Sequence, residues 1–432
     1  MKLSRSTLSV ALLAALFAPA AHAEIALDVI GGSEISFEGL VQAEGNWYDN
    51  DLVDLNSAGT GGTAASAGAN GKDTEFGIRR AEIILKGKGP GNFEWTLGYD
   101  PSAQKSVAVV NESNNGATNV TSTVNSGGKW LDVNAKYKIG GNANHYVQVG
   151  QYKQPNSLEE LSSTRFNDFI SKAAVTNTYA VARRTGVAYS YGDVNWSVTG
   201  AYFGRELTRN LGQGQGFGLR GTWAPINETG NILHVGLAYV DYDTDADTFR
   251  LRSRPDADLA TQRLVDSGDI RDTDRVGIGS AEGLWVHGPF KVQGEYYQAN
   301  LKRYGAGHDD YKSDGGYISG VWNVTGETWG YKAGVPVTNL PEDPGAGMWQ
   351  VGLRYDTLDL NDGSGNPTTG AVAGVLGGKQ NIWTAGVNWY WRSNFKFALN
   401  YVMVDTTKWS TVARGEVDDN PNIVEGRIQF YW

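Results

Sequence analysis

The stretch Val424-Glu-Gly-Arg-Ile-Gln-Phe-Tyr-Trp432 sorts its side chains with a period of two. Val424, Ile428, Phe430 and Trp432 fall on one face, and Glu425, Arg427, Gln429 and Tyr431 fall on the other. A helix would mix these two sets, whereas a strand separates them. One face meets an apolar medium and the other carries charge, so the charged side is wet. About ten such residues suffice to cross a bilayer as a tilted strand.

The pattern recurs upstream. Phe93, Trp95, Leu97 and Tyr99 alternate with Glu94, Thr96, Gly98 and Asp100. Leu131, Val133, Ala135, Tyr137 and Ile139 alternate with Asp132, Asn134, Lys136 and Lys138, and Phe217, Leu219, Gly221 and Trp223 with Gly218, Arg220 and Thr222. Trp349, Val351, Leu353 and Tyr355 alternate with Gln350, Gly352, Arg354 and Asp356. Sixteen strands are predicted near 33–43, 75–87, 92–100, 129–139, 145–152, 184–191, 195–203, 216–224, 232–241, 280–286, 290–298, 313–323, 348–356, 381–391, 395–404 and 422–432.

Their connections alternate in length. Tight turns sit at 88–91, 140–144, 192–193, 225–230, 287–289 and 392–394, with long Gly/Asp/Asn/Ser-rich loops such as 50–73, 101–128, 242–279 and 357–380 between them. Short turns on one side and long loops on the other predict an all-β, sixteen-stranded antiparallel transmembrane β-barrel in the bacterial outer membrane, with both termini on the periplasmic side. The connection 324–347 breaks the rule, because it falls where a short turn belongs. A soluble sandwich also alternates, but sixteen such strands with this loop pattern and an aromatic last residue favour the barrel.

Composition agrees. The 432 residues include 14 Trp, 21 Tyr and 57 Gly, a loading suited to aromatic girdles and to glycine in strands and turns. Lys2 and Arg5, the apolar run Leu8 to Ala20 and the motif Ala21-His22-Ala23 predict a signal peptide over 1–23, with the barrel domain over 24–432. The chain has no cysteine, which excludes disulfides and a lipobox. A net charge of −10 argues against nucleic acid as a partner. The terminal strand ending in an aromatic resembles the signal read by the barrel-assembly machinery. The remaining expected surroundings are outer-membrane lipid and lipopolysaccharide.

Enzymatic motifs are lacking. Gly212-Gln-Gly-Gln-Gly-Phe-Gly218 runs into a strand and lacks a nucleotide-loop spacing. His308-Asp309-Asp310 reads as a solvated turn rather than a metal site, and neither a metal nor a cofactor is expected. No nucleophile-elbow pattern is present, so the chain reads as a non-enzyme, with an outer-membrane enzyme or adhesin as the alternative from another class. Solute chemistry is expected instead from basic clusters: Arg79-Arg80, Arg183-Arg184, Arg220 and the run Arg250-Leu-Arg252-Ser-Arg254. If that run is extended, its three arginines face one way. Forked guanidiniums repeated along a lumen could hand a phosphate-like anion from site to site without trapping it. Strict alternation puts Arg79 and Arg80 on opposite faces, so both reach the lumen only through a bulge or near a strand end.

These clusters carry a resemblance to the phosphate-selective porin O and P family. It lies in Phe76-Gly-Ile-Arg-Arg-Ala81, Val149-Gly-Gln-Tyr152, Leu158-Glu159, Leu219-Arg-Gly-Thr-Trp-Ala-Pro225, Phe249-Arg-Leu-Arg-Ser-Arg-Pro255, Val324-Thr-Gly-Glu327 and Gly386-Val-Asn-Trp-Tyr390. It implies a homotrimer of channels that pass small anions such as phosphate or pyrophosphate passively. It also implies that the third extracellular loop, from about Lys153 to Ala182, folds into the lumen with Glu159, Glu160, Arg165, Asp168 and Lys172. By the same resemblance Arg79, Arg80, Asp132 and Lys172 line the constriction, while Arg252 and Arg254 belong to a basic extracellular funnel. Three positions depart from the family: Glu160 replaces a lysine, Glu82 an aromatic residue and Leu40 an arginine. Each change removes positive charge or adds negative charge near the expected constriction. A barrel of broad or different selectivity, in which Glu82 and Glu160 offset the arginines, is therefore the competing reading.

Overall fold

Alternation does what the sequence requires of it: each strand can hide its polar set only if the sheet closes. In the computed structural model, which describes residues 25–30, 33–56, 73–102, 104–112, 118–208, 213–244, 247–340 and 345–432, it does close. The strands are β1 (Ser33–Asp49), β2 (Thr74–Lys88), β3 (Phe93–Asp100), β4 (Lys129–Lys138), β5 (Tyr146–Lys153), β6 (Arg183–Asp193), β7 (Trp196–Phe203) and β8 (Gln213–Glu228). They continue as β9 (Asn231–Thr244), β10 (Thr273–His287), β11 (Phe290–Arg303), β12 (Tyr311–Asn323), β13 (Met348–Gly365), β14 (Val372–Trp391), β15 (Phe395–Ser410) and β16 (Asn422–Tyr431). Each pairs antiparallel with its neighbours in sequence, and β16 returns to β1 with Val424 opposite Trp47 and Tyr431 opposite Leu40. Closure leaves no strand edge facing lipid. The expected signal peptide lies outside the described residues.

The two faces differ as predicted. On β13, Trp349 and Leu353 are 42% and 48% exposed, while Gln350 and Arg354 are each 1% exposed. The outer face is apolar and ringed with aromatics near the short turns, where Phe290 stacks on Trp322 at 5.9 Å and Trp349 on Trp389 at 5.3 Å. Phe290 and Tyr296, both exposed, are six residues apart on β11, about 20 Å of strand and close to the height of a barrel's apolar band. The polar set points inward.

Two register shifts break strict alternation: the first is the bulge that the paired arginines allowed for, and the second corrects the expected face of Leu131. Gln42 pairs with Arg80 and Ala43 with Ile78, so Arg79 is the extra residue of a bulge. Ile78 and Ile83 both stay outside, and the parity change between them puts both arginines inside. On β4, Tyr99 pairs with Trp130 and Leu97 with Val133. Trp130 is therefore exposed and Leu131 buried, so Leu131 leaves the outward set to which simple alternation assigned it.

Several strands run past their predicted ends. The β13–β14 hairpin extends to Gly365 and Val372, through Asp359, Asn361 and Asp362. Beyond the lipid neither face needs apolar residues, so the period vanishes while the backbone pairing continues. Likewise, part of the expected loop 101–128 is a hairpin, Gln104–Glu112 with Thr118–Ser126.

The anomalous connection 324–347 contains a short hairpin, Trp329–Lys332 with Val335–Thr338. It folds back onto the inward face of β8 and β9, where Arg220 donates to the Gly334 carbonyl at 2.9 Å and His234 Nδ1 meets the Tyr331 hydroxyl at 2.7 Å. Gly334 has φ +78, and a Cβ there would come within 3.0 Å of the Arg220 guanidinium, so glycine suits this close approach.

Segment 154–182 carries two short helices, α1 (Leu158–Leu161) and α2 (Ala174–Tyr179). Its bonds go to inward side chains of distant strands. Glu295 on β11 accepts from the Leu158 and Glu159 amides at 2.8 and 2.7 Å, and also from the Tyr317 hydroxyl at 3.0 Å. Lys291 pairs with Asp168 at 2.7 Å, and Gln429 donates to the Arg165 carbonyl at 2.8 Å. Arg354 gathers the most: the Ser171 carbonyl at 3.0 Å, Asp256 at 2.6 Å, Glu159 at 3.5 Å and the Phe169 ring at 4.8 Å. Truncation of such a buried cation strands its carboxylates, a loss of about 3–5 kcal/mol. Arg354→Ala is expected to lower the melting temperature in detergent and to expose segment 154–182 to protease while the barrel still migrates as a folded species. A melting temperature and cleavage pattern like those of the parent chain would contradict that role.

Candidate functional site

The inward arginines and lysines are spaced by the strands and held by carboxylates. Arg80 on β2 pairs with Glu82, two residues along the same strand, at 2.8 Å. Arg79, displaced by the bulge, reaches Asp258 in the loop 247–272 at 2.9 Å. Burial opposes ionisation of Asp258, but Arg79 beside it, with Arg427 and Arg80 further off, holds its carboxyl well below the usual range. Asp132 on β4 receives Arg183 of β6 at 2.6 Å.

Glu160 is the centre of a triad. Its carboxylate meets Lys172 and also Lys153, the latter at 3.5 Å. Burial raises the energy of its charge, yet Lys172 and then Lys153 outweigh this and hold the carboxyl far below its ordinary value. A second triad has the same logic. Glu38 on β1 takes Lys86 at 2.6 Å and Arg165 at 2.8 Å. One carboxylate serving two cations leaves one positive charge in surplus at each place. Glu38, Glu82, Lys86, Asp132, Lys153, Arg165 and Arg183 from these pairs line one cavity of about 600 Å³, which Arg220 also borders.

The loop 247–272 supplies a different environment. Arg250 is neutralised by Asp266 at 2.6 Å and Asp269 at 3.4 Å. Arg254 donates to the Ala260 carbonyl at 2.5 Å, and Arg252 and Arg263 have no carboxylate partner among the described residues. Burial, followed by Arg254 and Arg252, disfavours the charge on Arg263, while burial and Arg250 do the same to Arg252. Cations held together in this way gain from an anion between them. A cavity of about 210 Å³ opens beside Arg184, Arg252 and Arg263.

The structure therefore brings Lys172, Glu160, Lys153, Arg183 and Asp132 into one electrostatic group, places Glu82 on the wall of the cavity with Arg80 paired to it, and ties Arg79 to Asp258. Arg252 and Arg254 lie in the loop 247–272, and Arg250, expected to act with them, is occupied by acids. Sequence reading passed over Arg263, Glu295, Lys291 and Arg354. The last three stand at inward positions of well-patterned strands, which was a usable signal; Arg263 had none. His308 meets Asp272 at 2.6 Å in an exposed turn, and no group of metal-ligating residues occurs among the described residues.

Comparison with known proteins places this geometry. The profile of the family described as phosphate-selective porin O and P matches residues 55–432. Porin O of Pseudomonas aeruginosa is 31% identical over 233 residues, 50% of this chain and 52% of that protein. An uncharacterized protein of Caulobacter vibrioides is 29% identical over 321 residues, 70% of this chain and 62% of its own. The matches thus span between half and two thirds of those relatives' lengths. Among solved structures, OmpT of Vibrio cholerae superposes with a TM-score of 0.52 at 13% identity, covering 94% of this chain and all (100%) of that one. The anion-selective porin from Comamonas acidovorans gives 0.50 at 13% identity over 93% and 100%. These share the fold. By the match over most of its length, the chain belongs to the phosphate-selective porin O and P family and is an outer-membrane β-barrel porin, a channel rather than an enzyme.

Proposed function

We propose that the protein is a passive channel for small anions, phosphate and pyrophosphate among them, in which segment 154–182 is the inward third loop that narrows the lumen. The observation that carries this reading is the surplus of positive charge: two triads in which one carboxylate serves two cations, and Arg252 and Arg263 without an acid. Arg79, Arg80, Asp132, Lys172, Arg252 and Arg254 form the route, with Glu82, Glu160 and Arg165 setting its charge. The description of the family, phosphate-selective porin O and P, supports the anion class, and so does that of the anion-selective Comamonas porin. The pore is one of three in a homotrimer, as the family suggests, and the chain is exported through residues 1–23 and assembled through β16.

A specific observation moderates phosphate selectivity. Arg80 is paired with Glu82 and Lys172 with Glu160, so two of the three departures from the family sit on expected solute ligands. We assign the channel general anion preference, with phosphate bound weakly. In planar bilayers under a salt gradient, the reversal potential is expected to show chloride preferred over potassium, with phosphate reducing the chloride current. Potassium preference with no effect of phosphate would overturn the assignment.

Removal of one resident carboxylate should sharpen the selectivity. Glu160→Gln frees Lys153 and Lys172, and the chloride-to-potassium permeability ratio is expected to rise about two-fold or more. An unchanged ratio would count against segment 154–182 lining the pore. Arg263→Ala removes a cation with no acid to strand, so phosphate should block the chloride current only at a several-fold higher concentration. The unfolding temperature should stay within a few degrees of the parent's.

A further inference from the structure

Two cavities share lining residues of segment 154–182 and of the hairpin 329–338. The first is the space of about 600 Å³ described above, and the second, about 240 Å³, lies between residues 159–169 and the hairpin 329–338. Leu161, Phe166 and Val335 line both. Ile84 extends the apolar surface into the first cavity, and Pro336 and Val337 extend it into the second. Val337 is exposed and the other five are partly exposed, with Val335 resting on a buried cluster and the Phe166 ring beside Tyr390 and Tyr431, so each presents part of its apolar surface to these cavities.

Cations rim this apolar slot but are not free. Arg165 holds Glu38 at 2.8 Å, Arg183 holds Asp132 at 2.6 Å and Lys291 holds Asp168 at 2.7 Å. A small inorganic anion entering here must shed water and compete with carboxylates already seated. An anion with an apolar body needs only the surplus charge of the triads, and gains further from contact with Leu161, Phe166 and Val335. Binding places elsewhere are built the same way, with apolar walls and a few placed polar groups.

We propose that this slot makes the passage select small organic monoanions with an apolar body, of the aryl carboxylate class, over anions of equal charge without one. Leu161, Phe166 and Val335 are its specificity-determining residues, and Val335 comes from the long periplasmic turn rather than from the loop. The proposal rests on the anion-channel reading above and adds the solute's apolar part to it.

The test uses the purified full-length mature protein in planar bilayers, with chloride current titrated by benzoate and by acetate. Both carry one carboxylate, so they differ in the apolar body alone. Benzoate is expected to reach half-block at a concentration about tenfold lower than acetate. Leu161→Ser and Val335→Ser should each shrink that ratio at least threefold. Equal half-block by the two anions, in a wild-type channel that still prefers chloride to potassium, overturns the slot and leaves the anion reading standing. Potassium preference overturns both. Because the wild-type comparison decides on its own, a variant that fails to assemble does not protect the proposal.

Discussion

The guanidinium of Arg354 joins three parts of the molecule that the barrel alone would leave independent. It rises from β13 and holds segment 154–182 through Ser171 and Glu159 and the loop 247–272 through Asp256. Around it Asp356 receives the Ala174 amide, and on β11 Glu295 collects the start of α1. Neither helix is long enough to be stable by itself. Their conformation is set by inward side chains of the wall, so under the proposed role of segment 154–182 the width of the passage depends on the barrel lining as much as on the loop.

That arrangement carries an electrostatic consequence. A loop pinned through ion pairs needs carboxylates and cations in near balance, because an unpaired charge in a low-dielectric site is expensive. The proposed anion conduction needs the opposite, namely positive charge left over for a solute. The triads at Glu160 and Glu38 meet both demands, since each keeps its cations solvated by a carboxylate and still retains one positive charge. Full pairing would hold the loop and close the pore to anions. Removal of all the acids would release the loop.

Sequence periodicity was enough to place all sixteen wall strands, because lipid on one side and water on the other force a period of two. It failed where the backbone departs from that period. The bulge at Arg79 and the shift across Leu131 are invisible to a count by twos, although the doubled arginine itself announced that something had to give. The extension of β13 and β14 was missed for the converse reason, since strand pairing outlasts the bilayer that imposes the pattern. At the site, residue types were legible but partners were not. Nothing in the order of residues says that Asp258 meets Arg79, or that Arg250 rather than Arg252 is silenced by Asp266. The first contact joins a strand to a loop far along the chain, and the second depends on how the loop 247–272 folds on itself.

The connection 324–347 shows how an exception to a pattern can be informative. Its length broke the rule of short periplasmic turns, and the excess residues form a hairpin whose backbone oxygen at Gly334 is bound by Arg220, itself paired with Glu282 and through it with His234. That network fixes Val335 and its neighbours opposite the tip of segment 154–182, so apolar atoms face the lumen where alternation along the wall supplies mainly polar ones. A barrel wall cannot place an apolar patch inside without giving up a strand's polar set. A turn folded inward can, because its residues are exempt from the period. Around these cavities charge comes from the wall strands, from segment 154–182 and from the loop 247–272, while the hairpin 329–338 adds Val335, Pro336 and Val337 to the apolar contact made by Leu161 and Phe166.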